Sequence, residues 1–228
     1  NLNTTDTSTP SYFYIRGRLN VTSPVKDDSW QVNNSYNVTW TRQGNITAVN
    51  IYYSASNGTG GWTKLNTGGA IPATDGKWQW NISSSETTTT EARINITDVN
   101  DEGNTYNLSN GTFFVKGNLI LNYPDASDIV LTYDGTSEAN ITWTAEGTIP
   151  AVQVRYSNNS GANYNLSLAN VSGFNFYNWP IPDDIGYNCS ILIRDKNDTT
   201  VTDNSNNLFA IKGSIEVLKP NTYVNWTH

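Results

Sequence analysis

The sequence is built on an internal repeat of about 100 residues. The motif FYIRG at residues 13–17 recurs as FFVKG at 113–117 and as FAIKG at 209–213. The spacings are 100 and 96 residues, and each copy is followed by a short apolar segment and then by Pro. Self-similarity at a fixed period is typical of a tandem array in which each repeat forms one structural unit.

The repeat also predicts the domain organisation. We expect two full repeats, at residues 17–116 and 117–212. Residues 1–16 would supply the last strand of a preceding or partner repeat, and residues 213–228 would begin a third, incomplete repeat. An Arg-Gly or Lys-Gly pair leads straight from one repeat into the next, with no Gly/Ser-rich or Pro-rich linker. Such short linkers predict an end-to-end stack with limited hinge freedom.

Each repeat has the pattern of short β-strands. Apolar residues alternate with polar ones at a period of two, and helical periodicity is absent. Turns rich in Gly, Asn, Asp and Ser separate six or seven such segments per repeat. This predicts an all-β fold of tandem immunoglobulin-like antiparallel β-sandwiches joined by very short linkers. The expected strands of the first repeat are 18–22, 36–41, 49–53, 63–65, 78–82, 92–97 and 112–116.

The alternation assigns each strand residue to a face. Trp40 and Trp143 occupy matched positions and are the predicted centres of the two cores. The other residues predicted to point inward are Val38, Val49, Ile51, Tyr53, Trp78, Trp80, Ile94, Ile96, Phe113, Val115, Ile141, Val152, Val154, Tyr156, Trp179, Ile191, Ile193, Phe209 and Ile211.

The second feature is the density of Asn-x-Ser/Thr sequons, none of which has Pro in the middle. Each is a formally competent N-glycosylation site, which is a surface modification of secreted proteins. The seventeen acceptor residues are Asn3, Asn20, Asn33, Asn37, Asn45, Asn57, Asn81, Asn95, Asn107, Asn110, Asn140, Asn158, Asn165, Asn170, Asn188, Asn197 and Asn225.

This number exceeds chance. With 33 Asn and a Ser plus Thr frequency of 49 in 228, random order would give about 7 sequons. The sequons also follow the strand pattern, because in Asn37-Val38-Thr39 the Asn and Thr face outward while Val faces inward. Asn140 occupies the same place in the second repeat. We therefore expect the outer faces of the sheets, and not only the loops, to carry glycans.

The composition excludes several classes of function. The net charge of −7 and the lack of a basic run argue against nucleic acid or anionic lipid as a partner. No apolar stretch approaches the roughly 18 residues of a membrane span. The single His228 is terminal and the single Cys189 lies at an inward strand position, so a zinc site or a His-based triad is not expected. We predict no enzyme, no catalytic residue, no metal site and no cofactor.

Two groups of residues could bind a ligand. Acidic clusters precede the last strand of each repeat. One comprises Asp98, Asp101 and Glu102, and the other comprises Asp195, Asp198 and Asp203. Calcium binds such oxygen-rich loops, but Asx turns that shape the loop are the favoured interpretation.

The second group is aromatic. Trp30, Tyr52 and Trp62 could form an exposed platform for stacking sugars. For Trp62, which follows a Gly-rich turn, packing against that turn is the favoured interpretation.

The repeat resembles a known family. Val/Ile-Thr-Trp-Thr at 38–41 and 141–144, Ala-Val-x-Ile/Val-x-Tyr-Ser at 48–54 and 151–157, and the terminal Phe-x-x-Lys-Gly carry the resemblance. The pattern resembles the Ig-like domain of the Ser/Thr-rich GPI-anchored and fungal cell-wall glucan-synthesis family, which also recurs in tandem in large microbial surface proteins. The resemblance covers about residues 17–213. It implies the fold and no catalytic residue.

These features predict a non-enzymatic, heavily N-glycosylated structural subunit of an extracellular filament, surface layer or cell-surface stalk. Its partners would be copies of itself and covalent glycans. The last-strand sequence at residues 11–16 suggests head-to-tail assembly by β-strand addition. The alternative is a window on one long tandem array. A cell-surface adhesin or carbohydrate-binding module is the second function considered.

Overall fold

A computed structural model describes residues 15–218 of the chain. Asn3, Asn225, His228, most of the segment 1–16 and most of the third repeat lie outside this range. The described chain forms two compact units, and the main division along the sequence falls between Val115 and Lys116. No helix within residues 15–218 is long and apolar enough to cross a membrane.

The first unit, sandwich 1, packs a small sheet against a larger one. The small sheet has the order β1-β3-β7, and the larger has the order β2-β10-β8-β4-β5, with β6 on β4 and β9 on β8. The strands are β1 (Arg18–Ser23), β2 (Ser29–Gln31), β3 (Ser35–Gln43), β4 (Ala48–Ser54), β5 (Thr63–Lys64), β6 (Ile71–Pro72), β7 (Lys77–Asn81), β8 (Thr89–Asp98), β9 (Tyr106–Leu108) and β10 (Phe113–Lys116). A short 3-10 helix, Ala73–Asp75, precedes β7.

The second unit, sandwich 2, repeats this arrangement. Its small sheet has the order β11-β13-β16, and its larger sheet has the order β12-β19-β17-β14-β15, with β18 on β17. The strands are β11 (Asn118–Tyr123), β12 (Val130–Tyr133), β13 (Glu138–Glu146), β14 (Val152–Ser157), β15 (Leu166–Val171), β16 (Phe176–Pro180), β17 (Gly186–Asp195), β18 (Thr202–Asn204) and β19 (Phe209–Gly213).

This strand order confirms the predicted fold class. In sandwich 2, β11 pairs antiparallel with β13 and β13 with β16, whereas β12 crosses to the larger sheet and pairs parallel with the last strand β19. Two sheets connected in this way form an immunoglobulin-type sandwich. All seven strands predicted for the first repeat are present, with ends shifted by up to three residues. The sequence pattern did not predict β2, β6 and β9, which have two or three residues each.

The two cores are closed by aromatic rings between the sheets. Trp40 and Trp143 are 3% and 2% exposed, as predicted. In sandwich 1 the Tyr53 ring lies 4.7 Å from the Trp80 ring, and in sandwich 2 the Tyr156 ring lies 5.0 Å from the Trp179 ring. Contacts at 4.5–7 Å in tilted geometry are favourable for aromatic pairs. The other predicted inward residues are buried, with one exception.

The exception is Trp78, which is half-buried. It lies opposite Val38, so its face was predicted correctly but its full burial was not. Because β7 is an edge strand of the small sheet, burial there depends on contacts from the facing sheet, such as those that Trp80 makes with Tyr53 and Trp30.

The two core tryptophans differ in one hydrogen bond. Trp40 Nε1 donates to the carbonyl of Ala73 at 3.1 Å, at the start of the 3-10 helix. Trp143 Nε1 is buried without a hydrogen-bond acceptor among residues 15–218. A buried donor without an acceptor costs roughly 1–3 kcal/mol.

This difference predicts unequal effects of the same substitution. Trp40→Phe should destabilise sandwich 1 by about 1 kcal/mol more than Trp143→Phe destabilises sandwich 2. The first change leaves the Ala73 carbonyl without the hydrogen bond from Trp40, whereas the second removes a donor that had no acceptor. Urea unfolding of the two variants and the wild type measures the difference, and a larger loss for Trp143→Phe would contradict the assignment.

Candidate functional site

The acceptor asparagines are mostly at the surface of the folded sandwiches. Fifteen of the seventeen lie within the described residues, and all of these are exposed except Asn95 and Asn107, which are half-buried. Asn37 on β3 and Asn140 on β13 are both exposed, at matched places in the two small sheets. The candidate acceptor residues therefore lie on several surfaces of the two sandwiches, and the strand register determines which side chains face outward there.

The outer face of the small sheet in sandwich 1 is uniformly polar. Asn37 lies opposite Gln79, and Ser35 lies opposite Asn81 and donates to its Oδ1 at 2.6 Å. Asn20 on the neighbouring strand β1 is exposed on the same face, opposite Thr41. Three sequon asparagines thus share one open face, where an attached sugar meets no apolar side chain of the sheet.

The larger sheet is less accessible. In Asn95-Ile96-Thr97 on β8, the Thr97 side chain is 4% exposed, and both Thr97 Oγ1 and Asn95 Oδ1 are buried without a partner among the described residues. Ser109 and Ser190, the hydroxyl residues of two further sequons, are also buried. Strand alternation predicts that Asn95 and Thr97 point outward, but this face of the larger sheet is covered at that position.

Asn107 has a structural contact that the sequence did not reveal. Its Oδ1 accepts a hydrogen bond from the backbone N–H of Val21 at 2.8 Å, which ties β9 to β1. In sandwich 2 Asp203 accepts from the N–H of Leu121 at 2.7 Å. The bond at the same place in both repeats shows that a side-chain acceptor is needed there, and either Asn or Asp supplies it.

Asp98 and Asp195 of the acidic clusters form Asx turns, the interpretation that the sequence favoured. Asp98 Oδ1 accepts from the N–H of Asn100 at 3.0 Å, and Asp195 Oδ1 accepts from the N–H of Asn197 at 2.9 Å. Within residues 15–218, no group of three or more His, Cys, Asp or Glu side chains could hold a metal ion.

Each acidic loop also forms an ion pair that sequence reasoning missed. Arg16 Nε contacts Asp101 Oδ2 at 2.9 Å, and Lys116 Nζ contacts Asp198 Oδ2 at 3.0 Å. Both cations precede the Gly that leads into a sandwich, and both carboxylates belong to the acidic loop of that same sandwich. The Arg-Gly or Lys-Gly dipeptide before each sandwich could have indicated a repeated cation at this place, but the sequence pattern predicts only a linker there.

These contacts lower the pKa of both carboxyls. For Asp101 the side-chain hydrogen bond from Asn104 is the main cause, followed by those from Thr105 and Arg16. For Asp198 burial acts most strongly and opposes ionisation, but two hydrogen bonds from Thr200 and the charge of Lys116 together outweigh it, so that its pKa is also lowered.

The proposed aromatic platform is not present. Trp30 is buried and stacks on Tyr36 with ring centroids 4.9 Å apart. Trp62 packs over the preceding turn, where a Cβ at Gly58 would lie 3.0 Å from its ring, as favoured from the sequence. Tyr52 is half-buried and donates to Glu102 at 3.2 Å. Each of these rings has a packing role.

A different aromatic pair is exposed in sandwich 2. Phe174 and Phe176 lie at the start of β16 with ring centroids 5.6 Å apart. Sequence reasoning missed them, although comparing the repeats could have found them: alignment on Trp80 and Trp179 places Lys77 opposite Phe176.

Cys189 is a buried small residue, as predicted. Its Sγ lies 3.3 Å from the Tyr156 hydroxyl, and that hydroxyl donates to Asp184 Oδ2 at 2.9 Å. Burial is the main cause that raises the pKa of the Cys189 thiol. A thiol that is buried and protonated is a poor nucleophile.

Comparison with known proteins identifies no family for this chain. No protein-family model matches the chain, and no curated protein matches it. The resemblance to the fungal cell-wall family therefore has no support beyond the Ig-like fold itself.

Solved structures with similar folds are immunoglobulin-like or fibronectin(III)-like. The fibronectin(III)-like modules of Clostridium thermocellum CbhA are 15% identical with a TM-score of 0.31, covering 86% of this chain and 94% of that one. A Dscam structure is 14% identical with a TM-score of 0.41, covering 86% of this chain and 46% of that one. Chimeric titin Z1Z2 is 13% identical with a TM-score of 0.27, covering 88% and 100%. The chain thus spans about half the length of the Dscam chain. The sandwich assignment depends on strand order and register.

The lowered pKa of Asp198 predicts acid sensitivity. Its ionised form stabilises the fold fully above about pH 4, the ordinary value for Asp, and this contribution is lost as the pH falls through the lower folded value. We expect the Tm of the wild type to fall more steeply than that of Asp198→Asn between about pH 5 and pH 2. Thermal unfolding across this range measures both slopes.

The matched control is Glu138→Gln, which removes an exposed carboxylate at the start of β13. This variant should keep the steep slope of the wild type. Parallel pH profiles for Asp198→Asn and the wild type would show that the Asp198 carboxylate contributes no pH-dependent stability.

Proposed function

We propose that this protein is a non-enzymatic, heavily N-glycosylated structural subunit of an extracellular filament, surface layer or cell-surface stalk. The observation that carries the proposal is the exposure of nearly all described acceptor asparagines on two sandwiches with closed cores. A glycan is bulky and polar and must project into solvent. Such a chain can carry a dense sugar coat without disturbing either core.

The aspartates of the two acidic loops and the Cys189 thiol have structural contacts, which supports a non-enzymatic function. The carboxylates of Asp98, Asp101, Asp195 and Asp198 are engaged in turns and ion pairs. Cys189 is buried with a raised pKa. These five groups, which could otherwise serve as acid, base or nucleophile, are thus held in contacts of the fold.

The alternative, an adhesin or carbohydrate-binding module, is less well supported. Its candidate platform depended on Trp30, which is buried, and on Trp62, which packs over its own turn. A ligand site of that kind needs exposed rings with converging polar groups.

We further propose that subunits join head to tail by β-strand addition. The sequence of residues 11–16 matches the last strands β10 and β19, yet sandwich 1 already contains its own last strand. A segment with this sequence is suited to complete a preceding repeat or a partner copy. A head-to-tail contact that does not close generates a filament.

Glycopeptide mapping of native material tests the coat. We expect glycans at Asn37 and Asn140, which are exposed, and little or none at Asn95, because Thr97 and the Asn95 Oδ1 atom are buried. Mass spectrometry after enzymatic deglycosylation reports the occupancy of each site. Unmodified Asn at both 37 and 140 would rule out the proposed coat.

Deletion of residues 1–16 tests the assembly. The truncated chain should remain folded and fail to form filaments, because the donor strand is missing. The matched control deletes residues 1–10 and keeps 11–16, and it should still assemble. Electron microscopy and thermal unfolding of both variants measure assembly and folding, and filaments from the longer deletion would refute strand addition.

A further inference from the structure

The outer face of the small sheet in sandwich 2 carries exposed apolar side chains. Phe174 is 63% exposed, Phe176 is 44% exposed and their rings meet at 66°. Ile120 on the neighbouring strand β11 is 41% exposed. A cluster of exposed apolar side chains on one face usually marks a contact surface.

This pair lies beside a sequon. Phe176 is directly opposite Thr142, the hydroxyl residue of Asn140-Ile141-Thr142, and Asn140 is opposite Asn178. Phe176 is therefore the diagonal cross-strand neighbour of Asn140 on the same face. Diagonal neighbours lie about 7–8 Å apart, within the reach of a long side chain. A sugar linked to Asn140 Nδ2 can reach the phenylalanine rings.

Sandwich 1 lacks the aromatic surface at the same place. There Asn37 lies opposite Gln79, and Thr39 lies opposite Lys77. Alignment on the core tryptophans places Asp75 where sandwich 2 has Phe174, and Asn20 where it has Ile120. Because the same sheet folds with polar residues at all three positions, the fold does not require the apolar ones.

We propose that Phe174 and Phe176 form a docking site for the first sugars of the N-glycan linked to Asn140. A pyranose ring presents a face of C–H bonds, and the electron-rich face of an aromatic ring attracts such positively polarised hydrogens. The attached glycan would cover the rings and become ordered on sandwich 2. This inference depends on the glycosylation in the proposed function.

The tether favours the attached glycan over other occupants. Linkage at Asn140 gives its sugar an effective concentration of order millimolar at the rings, so weak stacking suffices. A second copy of the chain would need about 800 Å² per partner, whereas two partly exposed rings and one Ile offer a few hundred at most. A glycan at Asn140 would also obstruct the approach of a second copy.

A double-mutant cycle tests the site. Wild type, Asn140→Gln, Phe176→Lys and the double variant are produced as full chains in a host that attaches N-glycans. Lys occupies the matched position in sandwich 1, so the strand tolerates it. We expect Asn140→Gln to lower the Tm by roughly 4 °C in the wild type and by much less when Phe176 is already Lys.

Two controls isolate the stacking. The same four proteins from a host without N-glycosylation should show no coupling between the two positions. In sandwich 1, Asn37→Gln should have little effect in the wild type and a larger effect in a Lys77→Phe background, where a ring has been installed beside the glycan.

Each other outcome overturns the inference. If Asn140 carries a glycan but the effects of the two substitutions on the Tm are additive, the glycan does not stack on the rings. If Asn37 carries a glycan and Asn140 does not, the docking site is refuted while the proposed coat still stands. If no sequon carries a glycan, both proposals are refuted. Sedimentation measures whether the unglycosylated protein self-associates. If it does, and if Phe176→Lys abolishes this self-association, the face binds a second copy of the chain. Tight binding of a free oligosaccharide to the unglycosylated wild type assigns it to an external ligand.

Discussion

The pairing of the two long central strands in each larger sheet determines which residues can be modified and which must be buried. In sandwich 1, Ile51 lies opposite Ile96 and points inward, while Tyr52 lies opposite Asn95 and points outward. A shift of the pairing by one residue would exchange the two faces, bringing sequon asparagines into the core and isoleucines into solvent. Because the sequon has the same two-residue period as the strand, the register that closes the core also orients the acceptor asparagines.

Outward orientation alone does not make a surface accessible, and the two sheets of each sandwich differ in this respect. Over the larger sheet of sandwich 1, Asn50 contacts Glu102 and accepts from Asn66 at 3.1 Å. In sandwich 2, Gln153 accepts from Arg194 at 2.7 Å. Such networks satisfy polar groups that neighbouring segments have covered. In sandwich 1 the small sheet is left as the open face, which explains why Asn37 is exposed while Asn95 is half-buried.

The sequence predicted the fold class and seven of the ten strands of sandwich 1, because the cores depend on alternation, which a single chain displays directly. The sequence did not predict how exposed a side chain is where that depends on the position of its strand in the sheet. Trp30 was considered for an exposed platform, but β2 crosses to the larger sheet and buries it against Phe113 at 5.0 Å. Trp78 keeps its inward face yet is half-buried at an edge. Phe174 and Phe176 were not predicted because they differ from the residues at the matched positions of sandwich 1, Asp75 and Lys77, whereas the repeat is recognised from the core residues that the two copies share.

Part of the sequon excess has a conformational cause. Asn33 and Asn57 adopt left-handed backbone angles, with φ of 60° and 52°, which Asn tolerates better than most residues. Asn107 is used as an acceptor for Val21, and Asn95 is half-buried. Setting aside these four of seventeen leaves thirteen, still well above the roughly 7 expected by chance. Turn geometry and side-chain hydrogen bonds therefore explain some of the asparagines but not the surplus, and this surplus is what the proposed glycan coat would account for.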